Sequence, residues 1–244
     1  MQPDMYKRNN YIHYIVYSHI FNKTKKFLIS DNEPIISEFT NNFNKQIKIF
    51  RITNGVDVKL FYTSYEKIYD LIFIGEIGNR KNAFMLPDIL QNLKKFDDNI
   101  KLLIISHLGE IDKLKNIINE RNLNKNIEFI NYVTEEQKRI YLAKSKIMIL
   151  PTKYEGFGIV IAEALASSLP VVLFDVPTLK TFNKGILKAR PFELDEFTHN
   201  IIYLLKNKEE REKLGKEGRD DALQRFDYSI VADNEELAIN RALY

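Results

Sequence analysis

No cysteine occurs in the 244 residues, so the chain forms no disulfide and offers no thiolate to a metal. That absence fits a reducing compartment and sets the expectation of a cytoplasmic protein. A strong excess of one charge is lacking too. The 36 Lys and Arg against 33 Asp and Glu leave a net +3, well short of the basic footprint of a nucleic-acid binder. His13, His19, His107 and His199 show no metal-ligand spacing with one another or with acids, and no metal is expected. There is no Walker loop and no Gly-x-Ser-x-Gly elbow. The first residues lead into no apolar core followed by a small-residue cleavage site, so no signal peptide is expected. One apolar run, Phe157 to Phe174, is long enough to suggest a membrane helix, yet Glu163 and Pro170 divide it into a buried helix and a buried strand. Repeats and low-complexity linkers are absent.

What remains is a chain with 45% hydrophobic residues, enough for a sizeable core in one large domain or two small ones. From residue 70 onward short β-branched runs alternate with amphipathic stretches. Strands are expected at Leu71–Gly75, Lys101–Ser106, Ile127–Ile130, Ile147–Leu150 and Val171–Phe174. Between them lie helical patterns near Ala83–Phe96, Ile111–Asn122, Glu135–Ala143 and Ile159–Ser167. Such alternation implies βαβ units and a Rossmann-like, doubly wound parallel α/β sheet that takes ligands at the carboxyl ends of its strands. Leu194, Phe197, Ile201 and Leu204 share one face of a further helix, followed by helices at Glu209–Arg225 and about Ser229–Leu243.

The first 60 residues hold less. Tyr11–Phe21 is a helix pattern apolar almost all round, Phe27–Ser30 and Ile47–Ile52 read as strands, and Pro34–Phe43 as a helix between them. This is a short, incomplete αβ segment. Lys23, Lys25 and Lys26 beside Tyr11–Phe21 would suit a membrane surface, but without a segregated polar face burial against the fold or a partner is the preferred reading.

The densest signal is Ile149-Leu-Pro-Thr-Lys-Tyr-Glu155-Gly-Phe-Gly-Ile-Val-Ile-Ala-Glu163. An apolar strand ends at Pro151, an acid precedes a Gly-Phe-Gly turn, and a small-residue helix carries a second acid. That order sets two carboxylates and free backbone N–H groups around one helix N-terminus, suited to a ligand with hydroxyls and phosphates. Gly156 and Gly158 permit close backbone approach near Phe157 and Ile159. The bland alternatives are a surface acid at Glu155, an ordinary turn at the glycines and a solvated helix-start lysine at Lys81. Glu163 is harder to dismiss, because its neighbours Ile161, Ala162, Ala164 and Leu165 are those of a buried helix, where an unpartnered acid is costly.

The stretch resembles the Glu-x7-Glu motif of retaining GT-B glycosyltransferases of the group 1 family. Three further pieces stand in that family's order: Asn54-Gly-Val-Asp57 like its interdomain link, Phe73-Ile-Gly75-Glu-Ile-Gly-Asn-Arg-Lys81-Asn like its first strand and phosphate loop, and Phe226-Asp-Tyr-Ser like the turn before its last helix. The resemblance implies transfer of a sugar from a UDP-, GDP- or ADP-sugar to a hydroxyl acceptor with retention, without a metal or other cofactor. Lack of any Asp-x-Asp agrees, disfavouring metal-dependent transfer of the GT-A kind. Implied as catalytic are Glu155, taking donor-sugar hydroxyls, and Lys81, on the diphosphate. Implied as donor-binding are Arg80, Gly78, Gly156, Phe157, Gly158, Ile159 and Glu163, the last on the ribose. His107 and Tyr132 follow strands and would border the nucleoside; a loop histidine with no role is the alternative for His107. The family usually has Arg directly after the first glycine, where this chain has Glu76, so either Arg80 substitutes or the donor site is weakened.

The expected organisation is residues 1–57 as a remnant of the acceptor domain with its link, 58–225 as the donor-binding domain, and 226–244 as a helix returning to the N-terminal segment or to a partner. The expected partners are a nucleotide sugar, a hydroxyl acceptor, and a homodimer mate or an acceptor-domain subunit; a peripheral membrane contact stays open, and nucleic acid is not expected. The homodimer would form through Tyr11–Phe21 and the last helix. The main alternative is a non-catalytic or split-enzyme subunit that binds nucleotide sugar. Behind it ranks an NAD(P)-binding Rossmann protein, with Asp175 on a ribose. Against it, five residues separate the strand from the first glycine, and Ile161 holds the third glycine position.

Overall fold

The computed structural model describes residues 27–30, 33–42 and 48–243. The Tyr11–Phe21 helix expected to mediate self-association or membrane contact, its flanking lysines, His13 and His19 lie outside the described residues. In chain order the strands are β1 (Phe27–Ile29), β2 (Lys48–Phe50), β3 (Tyr69–Ile74), β4 (Leu102–Ile105), β5 (Ile127–Ile130), β6 (Ser145–Leu150), β7 (Val171–Phe174) and β8 (Ile186–Ala189). The helices are α1 (Glu33–Asn42), α2 (Leu86–Lys94), α3 (Ile111–Glu120), α4 (Glu135–Ala143), α5 (Ile159–Ala166), α6 (Leu194–Lys206), α7 (Lys208–Arg225) and α8 (Tyr228–Leu243).

Six strands form one parallel sheet in the order β5-β4-β3-β6-β7-β8, and β1 pairs with β2 in a separate two-stranded one. The fold class is therefore α/β, Rossmann-like and doubly wound. Its central strands are near-continuous apolar runs, buried along their length, as a parallel sheet covered on both faces demands. The sequence reading leaves Ile186–Ala189 unassigned. As β8 it is the sheet's edge, pairing only with β7, and Leu187 and Lys188 are half-buried there, which weakens its apolar signature. The helical pattern from Ala83 resolves into a 3₁₀ turn, Ala83–Met85, running into α2, with Pro87 in the helix's first turn.

The apolar run from Phe157 is cut as expected. Ser168 adopts φ +53, Ser168 N donates to Leu165 O (2.9 Å) and Leu169 N to Ala164 O (2.9 Å), and Pro170 follows. This is a Schellman stop, which turns α5 sharply into β7. No helix among the described residues is long and apolar enough to cross a membrane.

Helix α7 looks in sequence like a charged surface helix, yet its buried residues are Gly215, Gly218, Asp221 and Ala222. Small side chains let its backbone approach α5 and the turn after it. A Cβ at Gly215 would stand 2.2 Å from Ser168 O, and one at Gly218 would stand 2.7 Å from Leu165 Cδ2. Arg219 donates from the same face to Phe61 O (3.0 Å) and to Ala166 O at the end of α5. Beyond α7 the chain is tied back to the N-terminal segment. Val56 N donates to Phe226 O (2.7 Å), Tyr228 N to Val56 O (3.1 Å), and Lys48 Nζ to Arg241 O in the last turn of α8 (3.1 Å).

The Gly215 contact generates a test. Gly215→Ala should lower stability by about 2 kcal/mol, since overpacking against a carbonyl outweighs the gain in helix propensity. Thermal melting should register this as a drop in Tm of roughly 5 °C; an unchanged Tm would mean that α7 does not press on the Ser168 turn.

Candidate functional site

Strand order reverses between β3 and β6, so the loops leaving their carboxyl ends diverge and open a crevice. The first loop, residues 75–82, crosses back over its own strand. A Cβ at Gly75 would come within 3.2 Å of Lys81 Cε, so a larger residue there would press on the lysine stem that lies across the strand end. This loop is stitched to the one after β4: Ile77 N donates to Leu108 O (2.9 Å) and Glu110 N to Ile77 O (2.7 Å). The second loop, residues 151–158, hangs on the Arg80 carbonyl, which accepts from Lys153 N (3.0 Å) and lies 3.1 Å from Thr152 Oγ1.

At this junction Lys81 Nζ meets Glu155 Oε1 at 2.5 Å, and Arg80 Nη1 meets Oε2 at 3.1 Å. Lys81 is 7% exposed and Glu155 4%, so this is a buried ion pair, whereas Arg80 lies half in solvent and also faces Glu76 at 3.6 Å. Thr152 Oγ1 lies 3.1 Å from Glu155 Oε1 and 2.9 Å from Tyr154 O, with one proton to give. The Glu155 backbone N donates to Thr178 Oγ1 (3.2 Å), fixing the loop from the β7 side. The sequence reading has Glu155 and Lys81 each facing a ligand; here they face each other, because two buried opposite charges at a strand end have no nearer counter-ion. Arg80 joins them from its half-exposed position.

Helix α5 begins directly beyond. Gly158 is its N-cap at φ +95, and a Cβ there would stand 2.8 Å from Ile161 Cδ1, so conformation and space both require glycine. No side chain caps this end, which leaves first-turn N–H groups and the positive end of the helix dipole toward the crevice. Gly156 differs: a Cβ there would meet nothing within 4 Å. Phe157 turns its ring inward, 5.2 Å from Phe182 and 5.8 Å from Phe226, so toward a ligand it has only its backbone to offer. Ile159 is 44% exposed on the open side. Gly78 is buried within the first loop, its carbonyl accepting from Ala83 N (3.3 Å).

Glu163 lies one turn and a half into α5, 5% exposed among apolar neighbours. Its Oε1 accepts from Lys138 Nζ of α4 at 2.7 Å, while its buried Oε2 has no hydrogen-bond partner. Burial pushes the Glu163 carboxyl above its ordinary value, against the opposing pull of Lys138. Burial also works against the charge on Lys138, but hydrogen bonds to Glu135 and Glu163 outweigh it and raise that ammonium. At the far side of the crevice His107 and Tyr132, both exposed, meet edge to face at 5.9 Å beyond the ends of β4 and β5. Asp175, the acid a dinucleotide reading needs, faces Lys188 at 3.3 Å. Among the described residues no cluster of His, Asp or Glu is arranged to hold a metal ion.

Thr152, Thr178 and Lys138 escape the sequence reading. A threonine after a strand-ending proline is a weak pointer to Thr152. Lys138 sits in a helix rich in charge, and nothing local distinguishes it.

With this geometry in place, residues 61–221 match the family model described as glycosyl transferases group 1. The chain is 28% identical over 200 residues to an uncharacterized glycosyltransferase of Methanocaldococcus jannaschii, covering 78% of this chain and 54% of that protein. It is 25% identical over 231 residues to a poly(ribitol-phosphate) alpha-N-acetylglucosaminyltransferase of Staphylococcus aureus, covering 87% and 45%. The chain thus spans about half the length of the curated relatives it matches. Its fold is shared with the Anabaena HepE protein solved in complex with UDP and glucose, at a TM-score of 0.78 and 17% identity over 98% of this chain and 69% of that one.

The Glu163 environment fixes a pH dependence. An unfolded glutamate titrates near its ordinary 4.5, and the folded state keeps its proton to higher pH. The charged form therefore costs no stability below the unfolded value and subtracts progressively as pH rises through the folded one. Lys138, with its value raised, stays charged throughout. Glu163→Gln should accordingly gain in Tm relative to the parent chain between pH 5 and pH 8; a difference independent of pH would show that burial does not disfavour this carboxylate.

Proposed function

The chain belongs to the glycosyl transferases group 1 family, and from the site we propose that it binds a nucleoside diphosphate sugar and passes the sugar to a hydroxyl acceptor with retention of configuration. One observation carries this reading: Lys81 and Arg80 converge on a single carboxylate beside an uncapped helix N-terminus. A diphosphate is the ligand that can exchange for that carboxylate, offering more anionic oxygens to two cations and to free N–H groups.

On binding, the phosphates draw Lys81 and Arg80 off Glu155. The freed Glu155 accepts hydrogen bonds from hydroxyls of the donor sugar. Oε2 of Glu163 accepts from the ribose, and His107 and Tyr132 border the base. In the transfer the bond from the anomeric carbon to the diphosphate oxygen breaks as a bond from the acceptor oxygen forms on the same face. The acceptor proton passes to the departing phosphate oxygen, so no side-chain base is needed. Lys81, Arg80 and the α5 N-terminus offset charge growing on the leaving diphosphate. No metal enters this scheme. Residues 58–225 are taken as the donor-binding domain, and the acceptor is assigned to structure outside it.

A second reading, nucleotide-sugar binding without transfer, is favoured by Glu76, which keeps one face of Arg80 occupied and sets a negative charge in the phosphate loop. The two separate in one experiment. UDP-, GDP- and ADP-sugars are screened by thermal shift, since a bound ligand raises apparent stability by mass action, and hydrolysis of the best donor is then followed. Transfer predicts slow hydrolysis that falls by about 100-fold or more in Lys81→Met and in Glu155→Gln, with folding checked by melting. Donor binding with no turnover supports the second reading, and failure to bind any of the three contradicts both.

A further inference from the structure

Helix α4 is anchored so that one lysine reaches the nucleoside side of the crevice. Its start is a capping box: Gln137 N donates to Thr134 Oγ1 (3.2 Å) and Thr134 N to Gln137 Oε1 (2.9 Å). One residue beyond, Lys138 extends between two acids, meeting Glu135 Oε2 at 2.8 Å and Glu163 Oε1 at 2.7 Å, with its side chain 12% exposed. Only Oε1 of Glu163 is used; Oε2 is buried and unpartnered. A carboxylate held at one oxygen and empty at the other, inside a helix of Ile, Ala and Leu, has a defined direction and an unused acceptor.

We propose that Lys138 is a positioning residue of the donor pocket, gripping Glu163 by Oε1 and presenting Oε2 as a charged acceptor to the ribose hydroxyls of the nucleotide. This rests on the reading that Glu163 faces the ribose. Among the described residues the charged groups facing Glu163 are Lys138, Glu135 and Arg139, all of α4. Lys138 and Arg139 favour its charged form, while Glu135 and burial oppose it. Removing Lys138 takes away the largest pull toward the charged form, so the balance shifts toward the neutral acid, which makes a weaker hydrogen bond and has lost its anchor. A hydrogen bond to a charged acceptor exceeds a neutral one by enough to change affinity roughly tenfold.

The test is calorimetric titration of UDP into the full chain from pH 5.5 to 8.5, expressed as the ratio of parent to variant affinity, so that ionisation of UDP itself cancels. Lys138→Met should bind UDP roughly ten times more weakly than the parent at the acid end of that range and recover toward it as pH rises and Glu163 ionises without help. Lys138→Arg should restore the parent profile. In the Glu163→Gln background Lys138→Met should have no effect. A Lys138→Met deficit that is absent, independent of pH, or equal in the Glu163→Gln background overturns the proposal and gives the lysine a structural role only. If Glu163→Gln binds UDP as well as the parent does, the ribose reading itself fails and takes this inference with it. If the parent ignores UDP, the same series is run with GDP and ADP, and binding of none of the three rejects both.

Discussion

The structure depends on the reversal of strand order between β3 and β6. Parallel strands joined by right-handed crossovers must send their connections outward in opposite directions from that line. The helices follow: α2 packs on α6, and α5 on α7. At the carboxyl ends of β3 and β6 two loops lie side by side. Hydrogen bonds to one carbonyl, that of Arg80, join the loops, and Thr178 holds the second from the neighbouring strand. Chemistry-bearing residues 74 positions apart in sequence, Lys81 and Glu155, meet there because those two loops are held together.

Burying charge at this place runs against stability. A buried ion pair seldom outperforms apolar residues of the same volume, because desolvation of both groups offsets their attraction. Here the acids of two such pairs stand in one short stretch of chain, Glu155 with Lys81 and Glu163 with Lys138, the second leaving an oxygen without a partner. Helix α5 would be a more comfortable core element with an aliphatic residue at position 163. Where a sequence breaks the rules of its own core, a ligand that completes the unsatisfied groups is the natural reason. The unpartnered oxygen, the uncapped N-terminus and the exchangeable cations call for hydroxyls at one end of that ligand and phosphates at the other.

Much of this was legible in sequence because it is local. The apolar runs of β3, β4, β6 and β7, the helix spacings and the Gly-Phe-Gly turn each declare themselves within a few residues. Lys81, Glu155 and Glu163 stand out through the resemblance of their surroundings to a family motif. What could not be read depends on neighbours far along the chain. Lys138 acquires its meaning from Glu163, 25 positions on, and Thr178 from a backbone N–H 23 positions back. The inward turn of Phe157 is set by Phe182 and Phe226, which no spacing rule connects to it. Edge strand β8 was hidden because it pairs on one side only and needs no continuous apolar run.

On the proposed reading the Lys81–Glu155 pair marks a diphosphate site and gives way when the ligand binds. The decisive measurement is the separation of Lys81 Nζ from Glu155 Oε1, 2.5 Å here, in a crystal structure with UDP bound. This contact should open, with Lys81 on a phosphate oxygen and the diphosphate against the first turn of α5. A complex in which the pair stays closed, or in which UDP lies away from that helix end, would contradict it.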